Sequence, residues 1–190
     1  EHLTVNYRTP LEIMDVAADV LAAQDPVARP PRSVRTTGRH PVALRVGTST
    51  GTGTGTGTGA GTGALVSAVM DAAGHAAEEV GDGRVAVICP ADLVEAVRAA
   101  FTTVPAGGVP GDADMLAATV AILTVTEAKG LEFDAVILVE PAAIVAGSQR
   151  GLADLYVAMT RATQTLTVLH TDELPAVLHR LAADPPPSTS

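Results

Sequence analysis

Leu152–His170 reads LADLYVAMTRATQTLTVLH. Leu152, Leu155, Tyr156 and Met159 fall at helical spacing, Arg161 follows them, and the chain then enters an alternating apolar run with Leu166 and Val168. This predicts a helix that delivers a cation at its end, beside a strand. Upstream, Thr126–Asp134 reads TEAKGLEFD and sets Lys129, Gly130 and Glu132 in a polar loop. The loop runs into AVILVE, a continuous apolar run suited to a strand buried on both faces of a parallel sheet. Two charged loops at strand edges of an α/β sheet point to a nucleotide site.

Composition narrows the classes. At 190 residues the chain holds one α/β domain with a real core and is too short for a complete two-domain motor. A start at Glu1 rather than methionine fits an excised fragment. The chain is 47% hydrophobic with two Phe, two Tyr and no Trp, so the core must pack through Val, Leu, Ile and Ala. Net charge is -9, from 12 basic and 21 acidic residues, which argues against binding nucleic acid by a global field. A strand contact would have to be local. Cys89 is the single cysteine, which excludes an internal disulfide and a cysteine metal cluster, and its setting in VAVICP reads as a small buried hydrophobe. His2, His40, His75, His170 and His179 are scattered without ligand spacing, so no metal site is expected. Neither a membrane span nor a signal pattern is present, and the expected compartment is the cytoplasm.

In chain order, Leu3–Val5 predicts a short strand and NYR the loop after it. Thr9, Pro10 and Glu12 form a capping-box pattern with proline at the first helical position. A helix is expected from there to about Ala23, with Leu11, Met14, Ala17, Ala18 and Leu21 inward. Arg29, Arg32, Arg35, Arg39 and Arg45 lie in a proline-rich connector without an acid. It reads equally as a contact arm for nucleic acid or protein and as a solvated loop, since no aromatic residue is interleaved to stack bases. Val42–Val46 is an expected strand. The Thr-Gly tract at residues 50–63 is low complexity and reads as a disordered tether or slipped repeat. It is no phosphate loop, because Ala64 and Leu65 follow where a lysine and a Ser or Thr would be needed. Ala64–Val80 is an expected helix with Leu65, Val69, Ala72, Ala73 and Ala76 inward. Arg84–Cys89 is an expected strand and Ala91–Phe101 a helix. Thr103–Asp114 is a loop whose Asp112 and Asp114 read as solvated turn formers. Thr119–Val125 is the next strand, leading straight into the lysine-glycine loop. The alternation predicts a parallel sheet with crossover helices.

These stretches carry a resemblance. TEAKGLEFD is similar to the fifth conserved motif of the UvrD/Rep-like superfamily-one helicases, LYVAMTRA to the sixth, and LTVNYRTP at Leu3–Pro10 to the fourth. They occur in the family's order. AKGLEFDAVILVEP and LYVAMTRATQTLTVLH resemble most the HelD-like branch, ATPases that act on RNA polymerase. The resemblance implies a RecA-like domain with a mainly parallel sheet and helices on both faces, the second motor domain of a P-loop NTPase, lacking its own Walker A. It would occupy residues 1–183, with residues 184–190 a disordered tail.

From the residues alone, Tyr7 and Arg8 form an ordinary turn before a helix. The resemblance implies instead that Tyr7 stacks on adenine and Arg8 reaches the terminal phosphate, chemistry suited to an aromatic face and a permanently charged planar fork. It implies that Glu132 contacts the ribose hydroxyls, while the loop of Lys129 and Gly130 couples nucleotide state to the bound track. Arg161, otherwise a helix-end arginine meeting the dipole, becomes an arginine finger. The chain departs from the UvrD-like pattern at Thr126, where a DNA-touching histidine is usual, and at Glu127, where a small residue is usual. An acid facing phosphates would repel them, which favours the HelD-like branch. The expected cofactors are ATP and Mg2+, with Mg2+ held by an N-terminal RecA-like domain of the same protein. The expected working partner is RNA polymerase. Alternatives are single-stranded DNA, as for a 3'-5' helicase in DNA repair, and a non-catalytic interaction module. With Walker A and B absent, the chain by itself is expected to be inactive.

Overall fold

The computed structural model describes residues 5–47, 59–102 and 119–182. The expectations for residues 1–4, for residues 50–58 of the Thr-Gly tract, for the loop with Asp112 and Asp114, and for the 184–190 tail lie outside the described residues. The elements are β1 (Val5–Asn6), α1 (Leu11–Gln24), β2 (Arg32–Ser33), β3 (Val42–Arg45), α2 (Gly59–Val80), β4 (Val85–Cys89) and α3 (Val94–Thr102). They continue as β5 (Val120–Thr124), α4 (Val125–Ala128), β6 (Phe133–Val139), α5 (Pro141–Ala146), α6 (Gly151–Met159), β7 (Ala162–His170) and a closing 3-10 turn, Ala176–Ala182.

Among the described residues five strands form one parallel sheet in the order β3-β7-β6-β4-β5, and β1 and β2 form a separate parallel pair. In the sheet, Val87 stands beside Ile122 on one side and Ile137 on the other, and Ile137 beside Thr167. Every residue of β4 and all but one of β6 are buried. The period-two alternation of strands divides these side chains between two cores. Ala86, Ile88, Val136, Leu138, Leu166 and Val168 join Ile13, Val20 and Leu155 on one face. Val85, Val87, Cys89, Ala135, Ile137 and Val139 join Leu65, Val69 and Val97 on the other. Thus α1, α4, α5 and α6 cover the first face, and α2 and α3 the second. This is the α/β arrangement expected of a RecA-like domain. Among the described residues no helix is long and apolar enough to cross a membrane.

Local expectations need correction at five places. The capping box before α1 does not form: Pro10 is the N-cap with no side-chain cap bond. Glu12 instead accepts from the backbone N–H of Thr37 and Gly38 at 3.1 and 2.7 Å, and Thr9 bonds elsewhere. The buried face of α1 is Ile13, Met14, Val16, Ala17 and Val20, so the stripe is rotated and Leu11 is exposed. Its neighbour on the outer side is the arginine connector, which wraps the helix start. Leu11 N donates to the Arg35 carbonyl at 2.7 Å, and Arg39 pairs with Glu79 of α2 at 3.6 Å, so the connector is tied down at these two points. Helix α2 begins at Gly59, so the last residues of the Thr-Gly tract, Gly59–Gly63, are helical and not tether. Helix α3 begins at Val94, because residues 91–93 form a turn closed onto the Pro90 carbonyl. Finally, β5 ends at Thr124 and does not lead straight into the loop; the helical turn α4 intervenes.

Candidate functional site

Helix α6 runs down the first face of the sheet and stops at Met159, with Thr160 as C-cap. Leu155, Ala158 and Met159 are fully buried, so the helix end is held by packing and Arg161 is set at the amino-terminal edge of β7. The Arg161 guanidinium turns back on the backbone. Its Nε donates to the Val157 carbonyl at 3.1 Å and Nη1 to the Leu131 carbonyl at 3.2 Å. Its own carbonyl accepts from Phe133 N at 3.0 Å. The lysine-glycine loop and the end of α6 are therefore joined in both directions.

The loop descends from α4 to the start of β6. Gly130 has φ of +82°, a left-handed conformation that residues with a Cβ rarely adopt, and the turn requires it. Lys129 Nζ pairs with Asp154 of α6 at 3.2 Å. Glu132 is met by Arg8, whose Nη1 contacts its Oε1. Arg8 comes from the turn after β1, shaped by Asn6: its side-chain oxygen accepts from Arg8 N at 2.9 Å and from Thr9 N at 3.2 Å, an Asx turn. Buried Thr9 then donates to the Thr160 carbonyl at 3.4 Å and accepts at its own carbonyl from the Ser33 hydroxyl at 2.6 Å. Tyr7 projects from the same turn at 71% exposure. The structure thus brings Arg8, Glu132 and Arg161 together, seats Lys129 against α6, and leaves Tyr7 as an exposed aromatic beside them.

Neighbouring groups are tuned by identifiable causes. Burial raises the Tyr156 phenol, opposed by the charge of Arg161. Asp134 is held below the usual carboxylate range by the Arg84 backbone N–H, aided by the Gln164 amide at 2.7 Å. Arg84 also lies over the Phe133 ring, 5.2 Å from its centroid.

Glu127 is engaged within the fold. Its carboxylate accepts from Thr124 N at 2.7 Å in a complete capping box of α4, and from Arg98 of α3 at 3.0 Å. The Thr124 backbone N–H, then Arg98, then the Thr124 hydroxyl hold its pKa down to about 2. Its charge is thus paired with the Arg98 guanidinium. Asn6, Asp154 and Arg98 were not singled out from sequence. Only Asn6 carried a legible signal, an Asx-turn former two residues before Arg8.

A cleft of about 510 Å3 opens at the carboxyl ends of β4 and β5, lined by Cys89, Pro90, Asp92, Thr124 and Thr126 and by Asp154, the partner of Lys129. Among the described residues no group of three His, Cys, Asp or Glu side chains is placed to hold a metal ion.

Residues 119–169 match the family model described as UvrD-like helicase C-terminal domain. Among solved structures, the chain is similar to the C-terminal domain of a possible DNA helicase from Lactobacillus plantarum WCFS1. That likeness has a TM-score of 0.54 and 22% identity, over 93% of this chain and 94% of that one. Among curated proteins no sequence matches.

Proposed function

We propose that this chain is the second RecA-like lobe of an ATP-driven motor of the UvrD-like kind, which completes a nucleotide site held mainly by another lobe. The observation that carries the reading is the convergence of three separate sequence motifs on one edge. Arg8 of the first meets Glu132 of the second, and Arg161 of the third bonds the Leu131 carbonyl beside it. Tyr7 supplies an exposed aromatic face for a base and Glu132 a carboxylate for ribose hydroxyls. Arg8 and Arg161 supply fixed positive charge for phosphates, with Lys129 and Gly130 shaping the loop between. ATP bound here would span the two lobes, and Mg2+ would be held by the other. Positioned charge of this kind stabilises phosphoryl transfer without covalent chemistry on the protein's part.

The partner we favour is RNA polymerase, on the HelD-like wording of the two C-terminal motifs and the net charge of -9. The test is ATP hydrolysis by the protein carrying both lobes, with RNA polymerase or single-stranded DNA added separately at matched salt. Arg161→Ala is expected to lower kcat by about three to five orders of magnitude, as removal of an arginine finger does. Unchanged hydrolysis in that variant sinks the motor reading and leaves an interaction module. Stimulation by bare DNA alone sinks the polymerase reading.

A further inference from the structure

We infer that Arg98 is a positioning residue for the Lys129–Glu132 loop, acting through Glu127. The consequence for ATP rests on the reading above; the placement of the loop does not.

Helix α4 has four residues, one turn, too short to persist through its own hydrogen bonds. Its orientation must be imposed from outside. On the inner side Val125 and Ala128 are buried in the first core. On the outer side, among the described residues, the Glu127 carboxylate bonds the side chains of Thr124 and Arg98. Arg98 belongs to α3, which packs on the opposite face of the sheet. Its guanidinium reaches over the β5 edge and spreads across three acceptors. Nη1 donates to Glu95 at 2.9 Å, Nε and Nη2 to the Ile122 carbonyl at 3.3 and 3.1 Å, and Nη2 to both Glu127 oxygens at 3.0 and 3.1 Å. The fork therefore ties the strand that enters α4 to the third residue of α4 itself. A planar guanidinium can do this where the point charge of a lysine cannot.

What leaves α4 is the loop. Lys129 N bonds the Thr126 carbonyl at 3.3 Å and Leu131 N the Ala128 carbonyl at 3.1 Å, so the loop backbone is built on the last residues of that turn. Glu132 follows Leu131 directly. A rotation of α4 is passed along this backbone toward Glu132, against the ties of Lys129 to Asp154 and of the Leu131 carbonyl to Arg161. The side chains of Arg98 and Glu127 are 37% and 45% exposed, so the tie sits at the surface and can be cut without opening either core.

Hydrogen exchange on this chain reads the placement directly. Arg98→Gln removes the fork. Glu127→Gln keeps an acceptor that can close the capping box while removing the charge, so one variant survives if the other folds poorly. Amide exchange at Lys129 and Leu131 is expected to accelerate about fivefold in each variant, and no further in the double variant, with β4 amides unchanged. In the protein carrying both lobes, the KM for ATP is expected to rise about fivefold with kcat within about twofold of wild type, and Arg98→Lys to recover only part of the loss. Unchanged exchange at both amides overturns the inference. Faster exchange with an unmoved KM, in a protein whose hydrolysis does respond to Arg161→Ala, also overturns it and leaves a structural tie. A wild-type protein without ATPase activity removes the motor reading alone, and the exchange result still decides the placement.

Discussion

Gly151→Ala tests how tightly α6 is seated. Gly151 opens α6 and is buried against α5. A Cβ added there would stand 2.0 Å from the Val145 carbonyl oxygen and 2.6 Å from the Val145 carbonyl carbon and Cα, where ordinary contact begins at 3.4 Å. The obstruction is backbone, so no rotamer change relieves it. The first turn of α6 would have to retreat from α5 by more than an ångström within a close-packed core. Overpacking of that kind costs about 1 to 3 kcal/mol, and a rigid obstacle belongs at the upper end. Alanine returns some stability by restricting the unfolded chain, about 0.4 to 1 kcal/mol, leaving a net loss of about 2 kcal/mol. Gly74, inside α2, is the matched control: nothing lies within 4 Å of its added Cβ. Gly74→Ala should therefore stabilise by about 0.5 to 1 kcal/mol. Urea unfolding of the two variants beside wild type supplies the comparison through the midpoint at constant slope. Gly151→Ala as stable as wild type, or both substitutions moving the midpoint the same way, would refute the reasoning.

The remaining expectations concern titration and reactivity. Glu127 has a folded pKa lowered to about 2 from its ordinary value of 4.5, so its contribution is present above about 4.5 and is lost as pH falls from there toward 2. Because the pair is exposed, that contribution is under about 1 kcal/mol, and the stability gap between wild type and Glu127→Gln at neutral pH should close in acid. A gap that persists at about pH 2.5 would show that the ion pair is not its source. Burial pushes the Cys89 thiol up to about 12, so in the folded chain it stays protonated and enclosed. Its reaction with a thiol reagent at neutral pH should follow unfolding by denaturant; rapid labelling of the native chain would place Cys89 at an accessible surface instead.

The parts of this fold legible in the sequence are those governed by short-range rules. The apolar run of β6 and the helical spacing before Arg161 each specify an element without help, and both stand where the pattern puts them. Misses arise where a local preference met a longer-range partner. Glu12 has the spacing of a capping residue, yet its carboxylate is claimed by the amides of Thr37 and Gly38, more than twenty positions away. Leu11 has the hydrophobicity of a core residue, but the rotation of α1 against the sheet turns Ile13 inward instead. The same holds at the site. Arg8, Glu132 and Arg161 could be named from their motifs, whereas the Arg98 fork could not. Its acceptors come from β5, from α4 and from its own helix, and nothing in the local sequence around Arg98 announces that meeting.

Three bonds cross between the lysine-glycine loop and the α6–β7 junction: Lys129 to Asp154, Arg161 to the Leu131 carbonyl, and Phe133 N to the Arg161 carbonyl. Mechanically, the two segments are one lever. A displacement at Glu132 is passed to Arg161 through these bonds. Motifs separated by some thirty positions of chain therefore share one degree of freedom, and a substitution that loosens either segment costs the other its leverage.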